Sequence, residues 1–69
     1  MPHAEPLKIL IVDDEPLARA RLRELLTDIS VQFSSEVAGE AGNGIAGLEF
    51  LRDHPVDVVL ADIRMPGMD

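Results

Sequence analysis

The sequence predicts an α/β domain built on a parallel sheet, from three kinds of observation. Two mainly apolar segments, 8–12 and 56–61, have the character of buried strands, and a weaker strand-like segment lies between them at 36–41. Segments with helical periodicity, 15–29 and 45–52, separate these strands. The alternation strand, helix, strand, helix, strand is typical of a domain with a parallel sheet.

The first strand and helix are predicted from an apolar run that ends in acids. The run at 8–12 stops at Asp13, and Asp14 is the predicted N-cap of the helix that follows. Pro16 suits the first turn of that helix, where its missing N–H does no harm. Apolar residues then recur at helical spacing and predict the buried face: Ala18, Leu22, Leu25 and Ile29, joined by Leu17 and Leu26.

The second half of the chain continues the alternation. The strand at 36–41 is short and lightened by Gly39, which suits the edge of a sheet. The turn at 42–44 leads into a helix that ends before Pro55, because the residue before proline avoids the α region. The predicted inward residues of this helix are Ile45, Leu48 and Leu51.

The order of the strands depends on the direction of the second connection, and the faces on which the helices lie depend on the handedness of both. Crossovers between parallel strands are almost always right-handed. If the second crossover passes back over the first strand, the order is 2-1-3 and the two helices lie on opposite faces. The carboxyl ends of strands one and three then bound the crevice where such sheets bind ligands. Asp13 and Asp14 follow one of these strands, and Asp62 follows the other.

Three carboxylates in one crevice predict a cation site. Two like charges 4 Å apart repel by about 4 kcal/mol at an effective dielectric of 20. Such a cluster persists if one acid is protonated or a cation sits among the oxygens. Oxygen ligands with spare positions favour Mg²⁺, and a carboxylate is a known nucleophile in phosphoryl transfer. Singly, each acid is more simply a helix cap or a loop residue, whereas jointly they indicate function.

Composition restricts the classes of function. Thirteen acids against six bases give a formal charge of −7, which argues against direct nucleic-acid binding by this segment. The apolar runs fall far short of the ~20 residues that a membrane span requires. Residues 1–7 hold two prolines, show no secretory signal pattern and are expected to form a flexible leader. We therefore expect a cytoplasmic protein.

Two motifs resemble a known family. The segment 8–16, Lys-Ile-Leu-Ile-Val-Asp-Asp-Glu-Pro, looks like the opening of a bacterial two-component response-regulator receiver domain. The segment 57–69 looks like the phosphoacceptor strand and loop of that domain, so the resemblance covers residues 8–69. Segments 16–22 and 39–44 are similar to the subfamily whose output is a LytTR-type DNA-binding domain.

The resemblance implies a flavodoxin-like fold and a role for each matched residue. Asp62 is implied as the phosphoacceptor. Its phosphoryl group would come from a sensor histidine kinase or a small phosphodonor. Asp14 is implied to bind Mg²⁺ directly and Asp13 through water, with the carboxylate of Asp62 and the backbone carbonyl of Arg64 as further ligands. The implied function is transcription regulation through a DNA-binding output domain outside this chain.

The chain departs from the family pattern in its extent. We expect only the first three strands and two helices of the receiver, with truncation after the loop that follows the third strand. The switch Ser or Thr and the Lys expected after later strands are not in these 69 residues. Self-catalysed phosphorylation by this chain alone is therefore left open, and the exposed edge of the third strand predicts self-association.

Two alternatives belong to other classes of protein. The chain could act purely as a structural or assembly element, in which case its acids would not bind Mg²⁺. It could also be an aspartate-nucleophile phosphatase, but that class expects Asp-x-Asp, whereas Ile63 and Arg64 follow Asp62. Mg²⁺ binding separates the signalling function from the assembly function.

Overall fold

The computed structural model describes residues 5–62 and shows an α/β fold. Its elements, in chain order, are β1 (Leu7–Val12), α1 (Pro16–Asp28), β2 (Ser35–Ala41), α2 (Gly44–Asp53) and β3 (Val58–Ala61). The sheet has the order β2-β1-β3, and both strand pairs are parallel. The predicted fold class and strand order are confirmed. The main shift in boundaries is that β3 begins two residues later than position 56.

The core of the described chain is centred on β1. Ile9, Leu10, Ile11 and Val12 are each at most 4% exposed. A central strand has both edges paired, and alternate side chains point to opposite faces of the sheet. Near-continuous apolar sequence is therefore what a strand in this position needs.

The two helices cover opposite faces of the sheet, as predicted. Leu10 and Val12 form the core cluster with Ala41, and partly buried residues of α2 such as Phe50 pack on it. The other face carries Ile9, whose partner on β2 is Val37. Leu26 of α1 lines the same pocket as Val37 of β2, which places α1 on that second face.

A β-bulge in β2 changes which side chains face which helix. Ile9 pairs with Val37, but the next residue, Leu10, pairs with Gly39, so the register skips Ala38. A one-residue shift moves every later side chain to the other face. As a result Glu40 lies opposite Ile11, on the face that α1 covers.

Gly39 allows the closest approach of α2 to β2. A Cβ atom built on Gly39 would lie 2.5 Å from both Cε1 and Cζ of Phe50. Real Cβ atoms essentially never come this close to another heavy atom. The ring also stacks on His54 at the end of α2, with 4.4 Å between ring centroids. Phe50 therefore occupies the space that a side chain at position 39 would need.

The buried face of α2 differs from the predicted one. Ile45 and Leu48 are 67% and 70% exposed, so their predicted inward positions are wrong, whereas Leu51 is partly buried. Gly44 and Gly47 face the sheet instead, and a Cβ on Gly47 would lie 3.1 Å from Val12 Cγ2. The helix approaches β1 through its glycines, which a search for apolar side chains overlooks.

The start and the buried face of α1 also differ from prediction. Its N-cap is Glu15, not Asp14, with Pro16 at the first helical position. Leu17, Leu25 and Ile29 are 75%, 56% and 40% exposed, so their predicted inward positions are wrong. Ala18, Leu22 and Leu26 are partly buried.

A pair of hydrogen bonds joins β1 and β3 at the amino end of the sheet. Lys8 N–H donates to Asp57 Oδ2 at 2.8 Å, and Asp57 N–H donates to the Lys8 carbonyl, also at 2.8 Å. Asp57 thus has a structural role at the amino end of β3, whereas Asp62 lies at the carboxyl end of the same strand. Neither of the helices within residues 5–62 is long and apolar enough to cross a membrane.

We expect Gly39→Ala to lower the free energy of unfolding by about 1–3 kcal/mol, because the new methyl group overpacks against Phe50. Urea denaturation measures this change. Gly42→Ala is the matched control, since its Cβ would lie 3.8 Å from the nearest atom, Arg19 Nη1. Adding Phe50→Leu to Gly39→Ala should recover part of the loss, and strict additivity of the two changes would contradict the proposed clash.

Candidate metal and phosphoacceptor site

Backbone pairing places Asp13 beside Asp62. Val12 and Ala61 are the last paired residues of β1 and β3. Beyond them, Asp62 N–H donates to the Val12 carbonyl at 3.2 Å, and Asp13 N–H donates to the Ala41 carbonyl of β2 at 3.0 Å. Both acids therefore directly follow a strand and are still tied to the sheet through their N–H groups.

The three acids at the carboxyl ends of β1 and β3 form one cluster. Asp13, Asp14 and Asp62 each offer a carboxylate oxygen, and these atoms lie within 4.8 Å of one another. Asp13 is buried, at 7% exposure, whereas Asp62 is partly buried and Asp14 is exposed. Arg64, whose carbonyl is the fourth predicted ligand, lies outside the described residues.

The side chain of Asp13 also holds the start of α1. Glu15 N–H donates to Asp13 Oδ1 at 2.9 Å. This local contact is an Asx-type turn, in which the carboxylate binds the backbone two residues on. Glu15 is itself the N-cap residue of α1, and the helix has no side-chain cap hydrogen bond, so the capping role predicted for Asp14 is not filled by another side chain. The contact couples the orientation of the Asp13 carboxylate to the start of the helix.

Sequence reasoning missed three residues close to the acids: Arg19, Arg23 and Glu40. Arg19 Nη1 donates to the Asp13 carbonyl at 2.6 Å, and Arg19 Nε binds Glu40 Oε1 at 3.1 Å. Arg23 Nη1 binds the other oxygen, Glu40 Oε2, at 2.5 Å. The position of Arg19, one turn into a helix that starts directly after Asp13 and Asp14, could have indicated its contact with the site. The sequence did not indicate its partner Glu40, because the bulge in β2 decides which face of the sheet Glu40 occupies.

The donor set fits a hard divalent cation. Octahedral Mg²⁺ holds its oxygens at about 2.1 Å, so neighbouring ligands lie about 3 Å apart and opposite ligands about 4.2 Å apart. Carboxylate oxygens within 4.8 Å of one another need only small adjustments to reach such separations. A bound cation would also offset the mutual repulsion of the three acids. Asp62 is partly exposed.

Comparison with known families identifies the domain. Residues 9–69 match the response regulator receiver domain family. The chain belongs to this family. The receiver function that the motifs indicated is therefore favoured over the aspartate-nucleophile phosphatase, and the parallel α/β architecture agrees with it.

Several regulators are similar to the chain over nearly its whole length. The nitrate/nitrite response regulator protein NarP of Escherichia coli strain K12 is 41% identical over 68 residues, covering 99% of this chain and 30% of NarP. The nitrate/nitrite response regulator protein NarL of the same strain is 39% identical over 69 residues, covering 100% of this chain and 31% of NarL. The transcriptional regulatory protein BtsR, also of that strain, is 43% identical over 60 residues, covering 87% of this chain and 24% of BtsR.

The chain spans 30% of the length of NarP and 31% of NarL, so it corresponds to part of such regulators. The finer resemblance to LytTR-type regulators finds no support in the similarity to NarP and NarL.

Two substitutions at Asp13 should separate its structural contact from its charge. Asp13→Asn keeps an oxygen that can accept from Glu15 N–H, so unfolding in urea without Mg²⁺ should change little. Mg²⁺ affinity, measured by calorimetric titration, should nevertheless fall by about 10- to 100-fold, the usual loss for a group that acts on a metal through a bridging ligand. Asp13→Ala loses both contributions and should also destabilise the fold by about 1 kcal/mol. Equal destabilisation by the two changes would show that the charge, not the hydrogen bond, holds α1.

Proposed function

We propose that this receiver domain accepts a phosphoryl group on the carboxylate of Asp62 in a Mg²⁺-dependent reaction. The observation that carries the proposal is the convergence of the Asp13, Asp14 and Asp62 oxygens within 4.8 Å at the ends of two adjacent strands. A carboxylate oxygen of Asp62 forms the new bond to phosphorus while the bond from phosphorus to the donor's nitrogen or oxygen breaks. The donor leaves with that electron pair and takes up a proton.

Each acid has a distinct part in this proposal. Asp14, which is exposed, is proposed to bind Mg²⁺ directly, and buried Asp13 to act through a bridging water, with the Arg64 carbonyl as a further ligand. The bound ion supplies positive charge that offsets the charge on the phosphoryl oxygens. Backbone hydrogen bonds from Asp13 and Asp62 to the sheet keep the two acids in register before a donor arrives.

The proposed phosphodonor is a sensor histidine kinase, and the proposed output is transcription regulation. The names of NarP and NarL describe response regulators, and that of BtsR describes a transcriptional regulatory protein. We propose that the complete regulator carries a DNA-binding output domain and works in the cytoplasm. A LytTR type for that domain rests only on the motifs at 16–22 and 39–44 and stays a prediction.

A second candidate function is assembly through the edge of the sheet. β3 occupies one edge of the three-stranded sheet, and its Val59 is 45% exposed. An edge strand offers backbone groups to another chain. This function requires neither Asp62 nor Mg²⁺, and it is compatible with phosphorylation of the same domain.

We expect Asp62→Asn to abolish phosphorylation, because an amide is neither anionic nor nucleophilic. The complete regulator is incubated with Mg²⁺ and a small phosphodonor, and incorporation is followed by intact mass. Asp57→Asn is the matched control: it makes the same change at the opposite end of β3, where an amide oxygen can still accept from Lys8 N–H. Phosphate retained in the Asp62 variant would remove Asp62 from the proposed role.

The edge of β3 predicts that the 69-residue chain associates at micromolar concentration. Sedimentation and circular dichroism across a dilution series measure this association. Val59→Lys should weaken it, since charged side chains on edge strands oppose pairing with a second chain. A compact monomer whose cooperative melting is independent of concentration would exclude the assembly function.

A further inference from the structure

We infer that Arg19 is a positioning residue for the acidic site, acting through the main chain of Asp13. This inference rests on the proposed Mg²⁺-dependent function. Its basis is the hydrogen bond from Arg19 Nη1 to the Asp13 carbonyl at 2.6 Å, between a partly buried helix side chain and the first residue of the site. Because Asp14 follows directly, holding the Asp13 carbonyl also restricts the peptide unit that carries Asp14.

Asp13 is held at three points, each by a different part of the fold. Its N–H donates to Ala41 of β2 at 3.0 Å, and its Oδ1 accepts from Glu15 N–H at 2.9 Å. The third contact, from Arg19, is made by a side chain alone. It can therefore be removed by substitution without interrupting the backbone of a strand or a helix.

Glu40 orients Arg19 toward the site. Arg19 binds Glu40 Oε1 through Nε at 3.1 Å, while Nη1 of the same planar guanidinium reaches Asp13. Arg23 binds the second oxygen of Glu40, so the carboxylate is held from two successive turns of α1. The side chains of Arg19 and Glu40 are 21% and 27% exposed, against 47% for Arg23. The more enclosed arginine is the one that contacts the site.

Charge and positioning predict opposite effects on Mg²⁺ binding. Arg19 places a positive charge beside the acids, so removing that charge should, on electrostatics alone, strengthen the attraction for a cation. Releasing the main chain of Asp13 should instead weaken binding, because supporting contacts of metal ligands usually contribute 10- to 100-fold in affinity. The sign of the change in affinity therefore distinguishes the two effects.

The experiment titrates Mg²⁺ into the unchanged protein and into Arg19→Gln, Arg19→Lys and Arg23→Gln. Arg19→Gln should bind Mg²⁺ roughly 10-fold more weakly than the unchanged protein. Arg19→Lys should bind more tightly than Arg19→Gln although it restores the repelling charge, because its amine can donate to the Asp13 carbonyl. Arg23→Gln is the control: it breaks an ion pair to the same Glu40 and leaves the Asp13 contact in place.

A second measurement requires no metal. Glu15 N–H is bonded to Asp13 Oδ1, so its hydrogen exchange in Mg²⁺-free buffer reports how firmly Asp13 is held. Exchange should accelerate in Arg19→Gln and remain unchanged in Arg23→Gln. Unaltered exchange in Arg19→Gln, or Mg²⁺ affinity equal to or above that of the unchanged protein, would overturn the inference. Absence of Mg²⁺ binding in the unchanged protein, with exchange still dependent on Arg19, would overturn the proposed function and leave Arg19 a residue that positions Asp13 only.

Discussion

Backbone hydrogen bonds at the carboxyl end of β1 hold the candidate site together. The Val12 carbonyl accepts from Asp62 N–H on one side, and Asp13 N–H donates to Ala41 on the other. Each is the last hydrogen bond of its parallel ladder, donated by the residue that directly follows the last paired residue of a strand. Because β1 is central and buried on both faces, a displacement here would disturb the whole sheet. The positions of the acids thus depend on the best-packed part of the described chain.

The bulge at Ala38 determines which side chains of β2 face α1. If β2 kept one register throughout, Glu40 would fall on the face of the sheet that α2 covers. The skipped residue turns Glu40 toward α1, where it binds Arg19 and Arg23. The same shift brings Gly39 under Phe50 and Ala41 into the core cluster. One extra residue in an edge strand therefore serves the packing of both helices.

Periodicity and topology were sufficient to predict much of the fold from sequence. The apolar runs predicted β1 and β3. Right-handed crossovers, with the second passing back over the first strand, gave the expected order 2-1-3 that places Asp13 near Asp62. The failures have physical causes. Ile45 and Leu48 were assigned to the core because hydrophobic periodicity gives no weight to glycine, whereas α2 packs through Gly44 and Gly47. The contacts of Arg19 depend on a bulge, which the alternation of one strand does not reveal.

Unequal burial gives the three acids different physical capacities. Asp13, at 7% exposure, is restrained through its N–H, its carbonyl and one carboxylate oxygen, so it offers a fixed charge and little freedom. Asp14 is exposed and can change rotamer at small cost, which suits a ligand that must adjust as a hydrated cation exchanges its waters. Asp62 is intermediate: its N–H is tied to β1, and the residue is partly buried. A cluster that combines a fixed acid, an adjustable acid and one of intermediate burial is suited to the cation binding proposed for it. Equal burial of all three would strengthen their repulsion, and equal exposure would leave their geometry to solvent.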